Sequence, residues 1–252
     1  MGLEGKIAVV TGGASGLGRA TCLALAEAGT RVLVADVDAE GGRAVAAEVE
    51  GEFVRADASR LEENVALMAA AVERLGGLDL VHLNAGVAGL CGVDESFDPE
   101  RYRQVIGVNL DGVVFGTHAA LPHLAERGGG AIVATASLAG LTGVPFDPLY
   151  AATKHAVVGL ARSLGPALAP RGIRFNAVCP GFAESRIIDP IREALAEQGV
   201  PIIPAEAVAD TVVRLFAGDM TGECWFVQAG REPEPFRFRN VPGPRSAEEE
   251  PT

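Results

Sequence analysis

Short apolar runs alternate along this chain with longer segments in which apolar residues recur every three or four positions. The runs are predicted strands at 6–11, 31–35, 52–55, 79–83, 130–135, 172–178 and 224–229. Segments between them, such as ATCLALAEAG and RLEENVALMAAAVERLG, have the period of amphipathic helices. Regular strand and helix alternation favours right-handed βαβ units. We therefore predict an α/β, doubly wound, Rossmann-like fold in one domain, with a seven-stranded parallel sheet and helices on both faces.

Glycine and polar motifs follow the predicted strands. TGGASGLG follows the first strand, and Asp36, Asp57, Asn84, Ser137 and Pro180 follow the next five in order. In open parallel sheets, ligands bind outside the carboxyl ends of the strands. The motifs therefore predict one site at this edge of the sheet.

The glycine motif lies where a short β-branched strand runs directly into an amphipathic helix. Gly12, Gly16 and Gly18 let the backbone turn tightly and approach a ligand closely. A helix N-terminus offers unpaired N–H groups and a positive dipole end to a pyrophosphate. The segment therefore predicts a dinucleotide cradle, although its spacing is G-x-x-x-G-x-G rather than G-x-G-x-x-G.

Asp36 ends the second predicted strand, 18 residues after Gly18. An acidic residue at about this distance accepts hydrogen bonds from the adenosine ribose, and its charge repels a 2′-phosphate. We therefore predict NAD rather than NADP as the cofactor. The alternative is an aspartate that caps its own loop in ADVD.

Tyr150 and Lys154 are separated by one helical turn, so their side chains are expected on the same helix face. A nearby ammonium stabilises a phenolate, and a shift of the phenol pKa from about 10 to neutrality corresponds to roughly 4 kcal/mol. The pair therefore predicts a proton donor that works near neutral pH. Ser137, 13 residues before Tyr150, is predicted to hydrogen-bond the substrate oxygen. Alternatively, it caps a turn or helix.

Taken together, the motifs resemble those of single-domain, classical short-chain dehydrogenases/reductases over about residues 5–230. The matching elements are TGGASGLG at 11–18, LNAG at 83–86, VNLDG at 108–112, Ser137, Tyr150-x-x-x-Lys154 and Pro180-Gly181. The resemblance implies an NAD-dependent oxidoreductase that transfers a hydride between a nicotinamide cofactor and a secondary alcohol or ketone. Tyr150 would be its general acid/base.

The resemblance also implies which residues form the site. The implied catalytic residues are Asn109, Ser137, Tyr150 and Lys154. The implied cofactor-binding residues are Gly12, Ser15, Gly16, Leu17, Gly18, Asp36, Asp57, Ala58, Asn84, Ala85, Gly86, Tyr150, Lys154, Pro180 and Gly181. By the same resemblance, Lys154 holds the nicotinamide ribose and Asn109 anchors a water that links Lys154 to solvent.

Three of these residues have simpler interpretations. Asn84 could tie adjacent strands together, Pro180 could belong to a plain turn, and Asn109 could be a surface residue. The chain also departs from the family at Leu83, where members often have asparagine. Neither Ser15 nor Val37 is basic, whereas a basic residue at one of these positions usually accompanies NADP preference in the family.

Residues 182–200 are expected to form a substrate lid, by the same resemblance. Its apolar residues, with Val144 and Phe146, predict a small, apolar alcohol or ketone as substrate. The lid residues concerned are Phe182, Ile187, Ile188, Ile191 and Leu195. They could instead pack on the protein's own core or on a neighbouring subunit. The resemblance further implies a homodimer or homotetramer.

Composition and charge indicate which classes of partner to expect. The chain has 252 residues, a formal net charge of −12 and only 5% aromatic residues. Such a charge makes nucleic acid an unexpected partner. We expect no membrane association and no signal peptide, because apolar runs are short, and we expect a cytoplasmic location. No metal site is predicted, since Cys22, Cys91, Cys179 and Cys224 form no C-x-x-C pair and read as buried free thiols. His155 is expected to have a packing role.

The predicted domain organisation is one NAD-binding domain over 1–230, lid included, followed by a tail at 231–252. The tail is rich in proline and ends in acidic residues, so we expect it to be partly disordered or to contact another subunit. A rival hypothesis is a non-catalytic NAD(H)-binding regulatory or scaffold protein with the same fold. Epimerisation or dehydration is a third, although such relatives usually carry a larger substrate domain.

Overall fold

The computed structural model describes residues 2–239, which form one eight-stranded sheet with helices on both faces. The strands are β1 (Ile7–Thr11), β2 (Arg31–Asp36), β3 (Glu52–Arg55), β4 (Leu80–Leu83), β5 (Gly130–Thr135), β6 (Ile173–Pro180), β7 (Cys224–Val227) and β8 (Glu234–Pro235). Their spatial order is β3-β2-β1-β4-β5-β6-β7-β8. The first seven strands pair in parallel, which confirms the predicted doubly wound fold.

Eight α-helices connect the strands within the described part of the chain. They are α1 (Gly16–Glu27), α2 (Ala39–Glu48), α3 (Leu61–Leu75), α4 (Pro99–Ile106), α5 (Gly112–Glu126), α6 (Pro148–Leu168), α7 (Arg192–Glu197) and α8 (Ala205–Ala217). A π-helical turn, Gly107–Asp111, joins α4 to α5. Asp38, Asp98 and Asp147 accept backbone N–H groups at the starts of α2, α4 and α6. These aspartates satisfy donors that a helix start otherwise leaves free.

The central strands are buried on both faces because successive side chains point to opposite sides of the sheet. Ile7 and Val9 of β1 pack with the apolar residues of α3, α5 and α6. Ala8 and Val10 pack with those of α1 and α8 on the other side. Two apolar layers therefore enclose the sheet, which explains why its strands are continuous apolar runs in the sequence.

The site edge of the sheet is where the strand order changes direction. β1 pairs with β2 on one side and with β4 on the other. The chain therefore continues from β1 towards one edge of the sheet, through β2 and β3, and then crosses back to β4 on the other side of β1. A crevice forms outside the carboxyl ends of strands at such a point. The loops after β1, β2 and β4 therefore face a common opening.

β8 was not predicted, since the sequence indicates seven strands. It pairs antiparallel with β7, and the Phe236 N–H donates to the Cys224 carbonyl at 2.7 Å. Phe238 then packs against the core layer that contains α6. A two-residue strand that includes a proline is too short to produce a period in the sequence. The remainder of the predicted tail, 240–252, lies outside the described residues.

The continuous helix Pro99–Glu126, made of α4, the π-helical turn and α5, is long and apolar enough to cross a membrane by length and composition alone. The expectation of no membrane association is not tested by this and stays a prediction. Buried helices of globular domains meet the same criteria, and 44% of its most apolar window is buried within the protein. α5 packs against α3 and β4 here.

Candidate active site

A cavity of about 890 Å³ opens at the carboxyl ends of the parallel strands. Its lining includes most of the predicted site residues: Gly12, Ser15, Gly16, Leu17, Asp36, Asp57, Ala58, Asn84, Ala85, Gly86, Ser137, Tyr150, Lys154, Pro180 and Gly181. Gly18 and Asn109 are absent from the lining and lie behind it. The fold therefore brings together residues from six strand ends.

The glycine-rich loop needs glycine for conformation and for space. Gly12 and Gly16 have φ values of 65° and 51°, in the left-handed region. A Cβ on Gly18 would lie 2.0 Å from the Gly12 carbonyl oxygen, and one on Gly12 would lie 2.9 Å from the Ala85 Cα. α1 begins at Gly16 without a side-chain cap and without an acidic residue in its first turn. These features leave a cradle that suits an anionic group.

Asp36 and Asp57, at the carboxyl ends of β2 and β3, accept hydrogen bonds from nearby residues. Asp36 accepts the Ala14 N–H at 3.0 Å and the Asp38 N–H at 2.9 Å, so it caps its own loop while it lines the cavity. Asp57 accepts from the Ser59 N–H and hydroxyl at 2.9 and 2.7 Å. The loop-capping interpretation of Asp36 is therefore confirmed, and its contact with a ribose stays a prediction.

Asn84 ties three strands together at the edge of the cavity. Its Nδ2 donates to the Thr11 and Gly12 carbonyls at 3.1 and 3.2 Å, and its Oδ1 accepts from the Thr135 hydroxyl at 3.1 Å. The side chain is thus fully engaged with protein groups. The structural interpretation of Asn84 is confirmed, and the residue still lines the cavity.

Ser137 and Tyr150 face each other across the cavity wall. Ser137 accepts the Ala139 N–H at 3.1 Å and so caps a 3₁₀ turn, Leu138–Gly140. The same hydroxyl donates to the Pro180 carbonyl at 3.4 Å and lies close enough to the Tyr150 phenol to lower its pKa. Tyr150 lies in the first turn of α6 and is partly exposed to the cavity. Two hydroxyl groups therefore converge on one point of the wall.

The proton affinity of Tyr150 differs from the prediction. Burial raises the pKa of the phenol to about 12; the hydrogen bond with Ser137 opposes this rise, while Asp147 and Cys179 add to it. The predicted lowering of the Tyr150 pKa by Lys154 is therefore wrong for the chain by itself.

The position of Lys154 explains this difference. Its Nζ donates to the Thr135 carbonyl at 2.7 Å and lies 5.5 Å from the centroid of the Tyr150 ring, over the ring rather than at the hydroxyl. Burial also lowers the pKa of Lys154 to about 8. The one-turn spacing does place both residues on one helix face, as predicted, but the ammonium is directed elsewhere.

Asn109 lies in the π-helical turn and is fully buried, so it is not a surface residue. Its Oδ1 accepts the Val87 N–H at 2.8 Å, and its Nδ2 donates to the Val87 carbonyl at 2.9 Å and to Thr153 Oγ1 at 3.3 Å. A Cβ on Gly86 would lie 3.5 Å from Asn109 Oδ1 and 3.6 Å from Lys154 Nζ. Asn109 therefore positions the backbone after β4 next to Lys154.

Asp147 and Thr135 were missed as site residues. Asp147 is buried and accepts the Gly89 N–H at 2.9 Å and the Tyr150 N–H at 3.2 Å, so it joins the loop after β4 to the start of α6. An Asp-Pro pair at a helix start is a sequence signal that could have located it. Thr135 has no such signal, because its role depends on contacts with distant residues.

Apolar side chains form the other end of the cavity. Those that line it are Val144, Phe146, Phe182, Ile187, Ile188 and Ile191. Leu195 is buried and absent from the lining, so its predicted place on the inner face of the lid is wrong. Charged lid residues pair with each other or with the rim, as Arg192 does with Glu184 at 2.8 Å and Arg186 with Asp38 at 3.3 Å.

Cysteines and histidines outside the cavity are also candidate site residues. All four cysteines are free and buried, as predicted. Within residues 2–239, no group of three or more His, Cys, Asp or Glu residues could hold a metal ion. His155 is exposed, and its Nδ1 hydrogen-bonds the Ala151 carbonyl, so the expected packing role is wrong.

The sequence matches the short chain dehydrogenase family over residues 6–196. Among its similar proteins, cyclohexanol dehydrogenase of Acinetobacter sp. (strain SE19) is 36% identical over 222 residues, which cover 85% of this chain and 88% of that protein. Levodione reductase of Leifsonia aquatica is 36% identical over 214 residues, which cover 82% and 79% of the two chains.

The fold is also shared with solved structures of similar sequence. The 3-ketoacyl-(acyl-carrier-protein) reductase from Brucella melitensis, complexed with NADH, superposes with a TM-score of 0.83 at 30% identity. The match covers 91% of this chain and 99% of that one. The agreement therefore extends beyond the glycine-rich loop to nearly the whole chain.

Proposed function

This chain belongs to the short-chain dehydrogenase family, and we propose that it is an NAD-dependent dehydrogenase of cyclic secondary alcohols. Its relatives are dehydrogenases and reductases, and oxidoreductase activity at a CH–OH group is common to them. The observation that carries the finer proposal is one cavity lined by both the Ser137–Tyr150 pair and Asp36.

The substrate end of the cavity supports an apolar ring with one polar group. Val144, Phe146 and Ile187 line it and carry no charge. Two arginines of the same lining are engaged with protein groups: Arg101 with the Ala88 and Gly89 carbonyls, and Arg186 with Asp38. The two relatives described above are named for cyclohexanol and levodione. A cyclic alcohol would place its ring against these apolar walls and its hydroxyl against Ser137 and Tyr150.

The residues of the adenosine side fit a nicotinamide dinucleotide. Gly12, Gly16 and Gly18 leave a cradle at the start of α1 that a Cβ would fill, and the helix start suits a pyrophosphate. A bound nicotinamide supplies the hydride acceptor or donor of the reaction. Asp36 would accept from the adenosine ribose and repel a 2′-phosphate, which favours NAD over NADP.

Tyr150 would handle the proton. In oxidation its phenolate takes the proton of the substrate hydroxyl, and in reduction the phenol returns a proton to the forming alkoxide. Ser137 would donate to the same oxygen and so stabilise negative charge there. Because burial raises the pKa of Tyr150, oxidation should become faster as the pH rises into the alkaline range.

Lys154 and Asn109 would support this step from behind the cavity wall. Lys154 keeps an ammonium over the Tyr150 ring while it is anchored to the Thr135 carbonyl. Asn109 holds the segment that includes Val87, next to Lys154. A protein that only binds NAD(H) would not need Ser137, Tyr150, Lys154 and Asn109 together. Their presence in one chain therefore favours catalysis over a regulatory role.

The test is turnover of a panel of cyclic and linear secondary alcohols with NAD and with NADP, followed by absorbance of the reduced cofactor. We expect kcat/KM to be highest for uncharged cyclic alcohols and at least about tenfold higher with NAD, a difference near 1.4 kcal/mol. Tyr150→Phe should bind NADH normally and lose about 100-fold or more in turnover. Tyr102→Phe is the matched control, because Tyr102 is the other tyrosine of the chain and is exposed.

Three outcomes would contradict the proposal. Near-normal turnover by Tyr150→Phe would remove Tyr150 from the mechanism. Equal use of NAD and NADP would remove the selective role of Asp36. NADH binding without turnover of any alcohol or ketone in the panel would favour the regulatory hypothesis.

Self-association is part of the proposal. The helix Pro99–Glu126 leaves Tyr102 and Val114 exposed, and apolar residues on a long helix favour contact with a second copy. We expect a dimer or tetramer by size-exclusion chromatography with light scattering. A monomer at micromolar concentration would contradict this.

A further inference from the structure

A buried histidine lies beneath the cavity without a role in the chemistry described above. His82 is near the carboxyl end of β4 and is fully buried. In the sheet it stands in register with Val10 of β1 and Val133 of β5, which are also fully buried. An aliphatic side chain would therefore satisfy the packing at this position, and the imidazole calls for another explanation.

Of the two ring nitrogens of His82, one has a hydrogen-bond partner and the other has none within residues 2–239. Its Nε2 lies 2.9 Å from Thr135 Oγ1. Its Nδ1 is buried and, within residues 2–239, has no partner. A buried polar atom without a partner destabilises the fold, so this arrangement indicates a compensating function.

The direction of the hydrogen bonds follows from Asn84. The Asn84 Nδ2 donates to the Thr11 and Gly12 carbonyls, which leaves its Oδ1 facing the Thr135 hydroxyl at 3.1 Å. An amide oxygen only accepts, so the Thr135 proton lies on this bond. Thr135 Oγ1 then accepts from His82, which requires the neutral tautomer with its proton on Nε2. Burial, which lowers the pKa of His82 to about 3, keeps the ring neutral.

The chain of donors ends at the glycine-rich loop. It runs from His82 to Thr135, from Thr135 to Asn84, and from Asn84 to the carbonyl of Gly12. Gly18 packs on the same spot, since a Cβ there would meet both the Gly12 oxygen and Asn84 Nδ2. Any rotation of the Asn84 amide would therefore disturb the turn of the loop.

We propose that His82 is a positioning residue for cofactor binding: its Nε2–H fixes the Thr135 hydroxyl, so that Asn84 holds the glycine-rich loop in its binding conformation. The inference rests on the proposed function only in that the ligand of the loop is a nicotinamide dinucleotide. His82 contacts neither cofactor nor substrate in this arrangement and acts through Thr135 and Asn84.

The first experiment compares His82→Leu, which removes the donor at similar size, with His82→Gln, whose amide can still donate to Thr135. His155→Leu is the matched control, because His155 is exposed on α6, outside the helix proposed for self-association. We expect His82→Leu to raise the Kd for NADH and the KM for NAD by about five- to tenfold, the range of one lost hydrogen bond, with kcat changed less than about threefold. His82→Gln should restore most of the affinity, and His155→Leu should leave it unchanged.

Coupling with Thr135 separates positioning from simple packing. The double variant His82→Leu/Thr135→Val should bind NADH no more weakly than Thr135→Val alone, since both changes interrupt the same chain of donors. Additive losses would overturn the proposal. So would equal NADH affinity of His82→Leu and the unchanged protein, or a lower melting temperature in both His82 variants with no change in Kd.

A second experiment uses the unchanged protein, so it does not depend on whether a variant with an altered core still folds. The ¹⁵N and ¹H chemical shifts of the imidazole report the tautomer, and the chain has only four histidines to assign. We expect a neutral ring with its proton on Nε2 down to at least about pH 5. A proton on Nδ1, or a ring that titrates near neutral pH, would overturn the proposal even if NADH did not bind. Failure of the proposed function would instead be seen as absent turnover in the unchanged protein.

Discussion

The groups around the Tyr150 hydroxyl set its proton affinity. Ser137 hydrogen-bonds it, Lys154 lies over its ring, and Asp147 and Cys179 place negative or potentially negative groups nearby. Burial dominates and raises the pKa of the phenol to about 12. Small changes of charge beside this hydroxyl should therefore alter the pH dependence of the reaction.

Asp147→Asn tests this balance. Removal of a negative charge beside Tyr150 makes the phenolate less unfavourable, so the pKa of Tyr150 should fall and the rising limb of alcohol oxidation should move to lower pH. We expect a shift on the order of one pH unit in kcat/KM measured at saturating NAD. Asp210→Asn, an exposed aspartate of α8, is the matched control and should leave the profile unchanged. A shift towards higher pH would contradict the assignment.

Single residues also show how far sequence reasoning reaches. The spacing of Tyr150 and Lys154 predicts that they share a helix face, and they do. It does not predict that the Lys154 amine donates to Thr135, 19 residues earlier and on a different element. Hydrogen-bond partners of this kind depend on how β5 and α6 pack, which local spacing does not encode.

Among the secondary-structure elements, β1 and α1 are connected by the glycine-rich loop, whose conformation sets how closely they approach. Gly18, in the first turn of α1, packs directly against the carbonyl of Gly12. The loop can therefore turn only as sharply as this contact allows. Its shape is held on the other side by Asn84, the residue that follows β4.

Gly18→Ala should move the start of α1 away from the Gly12 carbonyl. The new Cβ would lie 2.0 Å from the Gly12 oxygen, so the backbone has to move. We expect a loss of stability of about 1–3 kcal/mol by chemical denaturation and at least a tenfold rise in the Kd for NADH. Gly159→Ala in α6 is the control: nothing lies within 4 Å of its Cβ position, so stability should be equal or up to about 1 kcal/mol higher. Unchanged NADH affinity in Gly18→Ala would contradict the proposed role of the loop.

The chain after β7 returns to the body of the protein instead of leaving it. Phe238 stacks edge-on to Phe236 at 4.9 Å, and the Arg162 guanidinium lies 4.0 Å from the Phe238 ring centroid. Aromatic and cation–π contacts of this kind are each worth about 1 kcal/mol. The segment of residues 231–239 therefore has its own attachment to α6.

Phe238→Ala should loosen this attachment. We expect it to lower the free energy of unfolding by about 1–2 kcal/mol, because a ring packed on α6 is lost. Phe97→Ala, which removes a more exposed ring from a loop, should cost less than half of this. Kinetics with alcohol and NAD should be unchanged in both variants. Equal stability of Phe238→Ala and the unchanged protein would mean that the segment does not contribute.

At the scale of the whole molecule, burial controls the thiols. Cys22, Cys91, Cys179 and Cys224 are all buried. Burial raises the pKa of Cys22 to about 12, whereas the hydrogen bond with Cys179 lowers the pKa of Cys224. Thiolates are the reactive form, so the folded protein should react slowly with thiol reagents.

Labelling with an aromatic disulfide reagent checks this. We expect less than one thiol per chain to react within minutes under native conditions and all four to react in denaturant. Cys91 should be the first to react, since it lies in the loop after β4 rather than in a strand or helix. Rapid labelling of two or more thiols in the folded protein would contradict the buried positions.

The α/β alternation, the edge of the sheet that carries the site and the glycine-rich loop could all be predicted from the sequence, because periodicity and glycine spacing are local properties. The direction of the Lys154 amine, the raised pKa of Tyr150, the attachment of β8 and the hydrogen bonds from His82 to the loop could not. These depend on contacts between residues that are distant in the chain, and on the burial that packing of the elements imposes.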